Sequence, residues 1–174
     1  MIGKWIGAAL ILFASWGLGC WLALRWKGRL RALEELRRMV YFLKGEITYG
    51  HAALDEAMLR VGKREGGALG QIFAQAAEEI AGRGGESLGE IWERAVERGK
   101  KELGVLEKED WEQFKELGEH LGYLDVDMQE RTILLYLEQL DLSIEYLRLH
   151  SRERRRLYMS LGAAGGVFLV LILL

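Results

Sequence analysis

The chain has 174 residues, of which 50% are hydrophobic and 29% charged, with 22 glycines, one cysteine and no proline. One cysteine cannot form an internal disulfide and that apolar fraction can bury a core, so disulfide-built, collagen-like and low-complexity classes are excluded. The net charge of −2 conceals a division: residues 25–38 carry +4, residues 148–156 carry +4, and residues 39–147 carry −11.

From Trp5 to Leu24 there are 20 uncharged residues, which as a helix would span about 30 Å, the thickness of a bilayer core. Arg25, Lys27, Arg29 and Arg31 follow this run. It is longer than the apolar region of a signal peptide and most of its charge comes after it, so it reads as an anchor. Gly17-Leu18-Gly19-Cys20 is a faint lipobox lookalike, but the apolar run continues past it, and Cys20 is expected to face lipid. A second uncharged run of 18 residues, from Leu157 to the last residue Leu174, is preceded by Arg152, Arg154, Arg155 and Arg156. The basic flanks belong on the cytoplasmic side. The expected domains are therefore a transmembrane helix over 1–24, a cytoplasmic helical bundle over 25–156, and a second transmembrane helix over 157–174. In that last helix Gly162 and Gly166 form a GxxxG spacing, a candidate for close helix packing in the membrane.

Between the anchors, apolar residues recur at i, i+3 and i+4, with no alternating stretch, which predicts an all-α class of about six antiparallel helices. Leu33, Leu36, Val40, Leu43 and Ile47 form one stripe, so the first helix runs on from the anchor, or restarts after Gly28, until Gly50. Leu54, Ala57, Met58 and Val61 predict a second helix ended by Gly62. A third is expected from Leu69 to Ala81. Ser87 and Glu90 have capping-box spacing, in which each side chain satisfies an orphan amide of the other residue, and open a fourth helix that buries Leu88, Ile91, Trp92 and Ala95. Trp111, Phe114, Leu117, Gly118 and Leu121 mark a fifth, broken by Gly122. Asp127 with Glu130 repeats the capping spacing and opens the longest run. Its stripe of Ile133, Leu137, Leu140, Ile144 and Leu147 steps by 4 and 3 and continues toward the C-terminal anchor.

Catalytic chemistry finds no support in the residues. His51, His120 and His150 lie far apart, with no second ligand at metal spacing. Gly66-Gly67-Ala68-Leu69-Gly70 and the glycines after Gly82 lack the Lys-Ser or Lys-Thr of a phosphate cradle. Asp125 and Asp127 stand at a helix entrance, where capping accounts for them. The chain reads as no enzyme, with no catalytic residue, metal or cofactor. The acidic middle argues against nucleic acid as a partner, while the basic flanks suit an anionic lipid bilayer.

Five stretches carry a resemblance. They are Glu46-Ile47-Thr48-Tyr49-Gly50 with Leu54-Asp55-Glu56-Ala57, and Ser87-Leu88-Gly89-Glu90-Ile91-Trp92 with Ala95. Leu117-Gly118-Glu119-His120-Leu121-Gly122 with Asp125 and Gln129 follow, then Leu161-Gly162-Ala163-Ala164-Gly165-Gly166 and Ile172-Leu173-Leu174. In that order and layout the chain resembles the stage III sporulation protein AB family of endospore-forming bacteria. It departs from the family's pattern at His51-Ala52-Ala53, where proline is usual, and at Leu124, where Ser is frequent. The resemblance implies a component of the complex spanning the two membranes around the forespore. Its place would be the mother-cell membrane, beside the complex's other membrane proteins. The family's soluble part is similar to the inner-membrane platform proteins of type II secretion and type IV pili. The partner implied is a cytosolic ATPase, stage III sporulation protein AA. A membrane-tethered sensor binding a small molecule within its bundle is the alternative. Glu112, Glu116 and Glu119, spaced four and three apart opposite the Trp111 stripe, are the candidate docking face. Glu46 and Gln129 are candidate buried polar residues that fix helix register.

Overall fold

A computed structural model of the chain describes residues 2–82, 85–122 and 125–173. At both ends the surroundings of several side chains, those of Gly162 and Gly166 among them, lie outside the description. The described residues form six α-helices and no strand: α1 (Ile2–Thr48), α2 (Leu54–Glu65), α3 (Gly67–Ala81), α4 (Leu88–Lys100), α5 (Lys108–Leu121) and α6 (Val126–Leu173). Among them no helix is long and apolar enough to cross a membrane. Two compact units divide the chain, one of residues 1–30 with 145–174 and the other of residues 31–144.

The central unit is built from the stripes that periodicity marks. Leu33, Leu36, Val40, Leu43 and Ile47 of α1 are buried, as are Ile133, Leu137, Leu140 and Ile144 of α6. Lys44 pairs with Glu130 at 2.9 Å and Arg37 pairs with Asp141, so α1 and α6 run antiparallel here. The helices between them pack in sequence, α2 on α3, α3 on α4 and α4 on α5. Their buried faces are Ala57, Met58 and Val61 on α2, Leu69, Ile72, Phe73, Ala76 and Ala77 on α3, and Ile91, Trp92, Ala95 and Val96 on α4. In the end unit, the Trp26 indole N–H donates to the Leu147 carbonyl at 3.2 Å and its ring lies 6.4 Å from that of Tyr146.

Three boundaries differ from the sequence expectation, each for a local reason. α2 does not stop at Gly62 but continues to Glu65. A Cβ at Gly62 would lie 2.6 Å from the Gly70 carbonyl oxygen and 2.8 Å from the Ala74 nitrogen, so this glycine permits the close crossing of α2 and α3. The reversal falls instead at Gly66 and Gly67, whose φ values of 66° and 63° are left-handed and suit glycine. α6 opens at Val126, two residues earlier than the Asp127 cap predicts. The Asp125 carboxylate accepts from the Met128 amide at 2.9 Å, while Glu130 is engaged with Lys44. Finally, α3 opens at Gly67, at that reversal and two residues before Leu69, while α1 runs on unbroken past Gly28 as one of the two sequence readings has it.

Candidate functional site

Trp92 fixes the rotation of α5, and with it the outward face of that helix. Its indole is fully buried and its N–H donates to the Phe114 carbonyl at 2.8 Å. Phe73 and Phe114 meet it edge to face, with centroids 5.1 Å and 5.0 Å away, an arrangement that aromatic quadrupoles favour. Gly118 lets α5 approach this ring, since any Cβ there would run into the indole. At the helix start, the buried Asp110 accepts from the Glu107 amide at 2.8 Å, placing a carboxylate at the positive end of the helix dipole.

With α5 held this way, Glu112, Glu116 and Glu119 are all exposed. Glu112 pairs along the helix with Lys108 at 3.3 Å. Glu116 and Glu119 have no ion pair among the described residues. The neighbouring acids are differently placed. Lys115 reaches back from α5 to Glu93 of α4 at 3.3 Å and to Glu97. Arg94 of α4 binds Glu79 of α3 and Glu86 of the connection, each at 2.7 Å, and Arg98 binds Glu79 at 2.6 Å. Hydrogen bonds from Arg94 hold the Glu79 and Glu86 carboxyls below the usual range, against the burial that acts on Glu79. Glu97 is lowered chiefly by its bond to Lys115, whose own value rises in return. The acids that face one another between α3, α4 and α5 are thus paired within the fold, while Glu116 and Glu119 stand on the outside of α5 without an ion pair among the described residues, as Glu78 does on α3.

The two residues expected to be buried polar groups are only half-buried. Glu46 lies at the edge of α1 and pairs with Arg60 of α2 at 2.6 Å, and Arg60 also holds Glu56. Gln129 donates from Nε2 to the Leu121 carbonyl at 2.8 Å, satisfying an orphan acceptor at the end of α5. Both join helices from the surface. Closed inside, as Asp110 is, lies Tyr136, with a buried hydroxyl that has no hydrogen-bond partner among the described residues and a pKa raised by burial first and by Asp110 second. Its signal in the sequence was hidden, because it directly precedes Leu137 of the core stripe and reads as one more apolar neighbour. The candidate packing pair Gly162 and Gly166 falls in α6, outside the residues whose surroundings are described. Among the described residues no three of His, Cys, Asp or Glu are grouped to hold a metal ion.

Residues 4–174 match the family described as stage III sporulation protein AB. The chain belongs to that family. It is 28% identical over 171 residues to stage III sporulation protein AB of Bacillus subtilis (strain 168), covering 98% of this chain and 99% of that protein. A solved structure of a stage III sporulation protein AB superposes with a TM-score of 0.64 at 27% identity, covering 71% of this chain and 96% of its own. Two of the stretches that carry the resemblance have a visible role in the fold. Ser87 and Glu90 form the capping box of α4, and Gly118 supplies the contact with Trp92.

Proposed function

We propose that this member of the stage III sporulation protein AB family is a non-enzymatic platform, anchored in the mother-cell membrane by both chain ends. Its helical unit would face the mother-cell cytoplasm and dock the cytosolic ATPase, stage III sporulation protein AA, within the complex between mother cell and forespore. The reading of the ends rests on the uncharged runs 5–24 and 157–174, with their basic flanks turned toward the central unit. The observation that carries the docking assignment is the outward face of α5. Glu116 and Glu119 are exposed there without internal cations, whereas Glu79 on α3 and Glu93 and Glu97 on α4 are paired.

Rim charges of this kind act mainly on the association rate and its salt dependence. Reversing Glu112, Glu116 and Glu119 to Lys leaves the Trp92 contact untouched and so preserves the fold. At low ionic strength it should slow ATPase association about tenfold or more and flatten the salt dependence, as stopped-flow or surface-binding kinetics would read. An unchanged on-rate in a folded variant refutes docking at this face.

A further inference from the structure

α6 carries a second apolar stripe, on the side turned away from the core. Met128, Leu135 and Leu142 repeat every seven residues and are 47%, 63% and 64% exposed. At about 100° per residue they stay within about 40° of one another on the helix and roughly opposite Ile133, Leu137 and Leu140, which are buried. Monomeric surfaces scatter single hydrophobic side chains, whereas a repeat of seven along one helix is the seam that a second helix of the same period covers. Thr132 and Gln139 fill the alternate seam positions. Arg131 and Glu138 line one edge, while Ser143 lies on the other.

We infer that this stripe pairs with the same stripe of a second copy of the chain, in parallel. The inference rests on the proposed membrane anchoring. Two copies inserted the same way in one membrane point their α6 helices in the same direction, so each seam residue meets its own counterpart. Parallel pairing also sets the charged edge, Arg131 and Glu138, against the partner's uncharged edge, and no like charges oppose. Met128 to Leu142 spans only about 21 Å along a helix about 10 Å wide. That is below the roughly 1,000 Å² that a free-standing specific interface buries. Confinement to one membrane supplies the effective concentration that the area lacks, and the polar Thr132 and Gln139 keep the contact selective at a cost in strength.

The test uses the full chain in cell membranes, with Cys20→Ser as background. Met128→Cys, Leu135→Cys and Leu142→Cys are introduced one at a time and oxidised, with Glu112→Cys on α5 as control. Parallel pairing predicts a disulfide-linked band at twice the chain's 19.8 kDa mass for all three seam positions and none for the control. Adding Leu135→Glu and Leu142→Glu should cut the Met128→Cys product at least tenfold while helical content is kept. Cross-linking at only one of the three positions means antiparallel pairing and overturns the inference, as does a product of another mass, which would assign the seam to a different protein. No product from a chain that resists alkaline extraction overturns the pairing alone. A chain washed off by alkali overturns the anchoring and the pairing with it.

Discussion

Gly118 and Trp92 are the tightest point of the α4–α5 packing, and both stood on apolar stripes that the sequence displays. What the spacing could not show was that the two meet, because a missing side chain on one helix and a large one on the next become complementary only when the helices are placed. Gly118→Ala would gain about 1 kcal/mol of helix propensity, yet its methyl has no room beside a buried ring held by Phe73, Phe114 and its own hydrogen bond. The variant is therefore expected to lose stability, by about 1–3 kcal/mol as for other overpacked cores, measured by chemical denaturation of the full chain in detergent. A neutral or stabilised variant would show that the indole can move. Caps were legible in proportion to how local they are. Ser87 and Glu90 satisfy each other within three residues, so spacing sufficed. Asp127 and Glu130 have the same spacing, but Lys44, distant in sequence, takes Glu130, and Asp125 caps the helix.

Among the helices, existence and buried faces were readable from i, i+3 and i+4 spacing, and glycine marked the ends of α3 at Gly82 and α5 at Gly122 correctly but misplaced that of α2. Gly62 looks like a stop and is a crossing point. The cross-helix ion pairs were invisible beforehand, since Glu79, Arg94 and Arg98 lie 15 or more residues apart from acid to base and acquire meaning only when α3 and α4 align. These pairs give the fold an acid sensitivity of definite sign. Glu79, Glu86 and Glu97 titrate below their ordinary value in the folded chain. Their contribution is accordingly complete above about pH 4.3, the unfolded value for Glu, and is lost as pH falls through the lowered folded values. Glu79→Gln should be less stable than the parent at neutral pH by at most about 1 kcal/mol, because solvent screens the pair. The gap between the two should narrow as pH falls through the lowered Glu79 value, where the parent's carboxylate is neutralised. A gap that is constant with pH would assign the loss to packing, not charge.

Across the whole molecule, charge is sorted by position along the chain: +4 over residues 25–38, −11 over 39–147 and +4 over 148–156. This was fully legible in the sequence, as was the family, whose match extends over residues 4–174. The distinction between acids paired within the fold and acids left on α5 needed the structure. The exposed seam of α6 was likewise hidden, because Met128, Leu135 and Leu142 read as ordinary apolar residues until the opposite face of the helix is known to be the buried one. The central claim is that both ends are anchored and the acidic unit between them faces the cytoplasm. It is tested most directly by labelling Glu102→Cys, an exposed site between α4 and α5, in a Cys20→Ser background. A membrane-impermeant maleimide should leave intact cells unlabelled and react fully after permeabilisation. Labelling of intact cells would place the unit on the far side of the membrane and contradict the account.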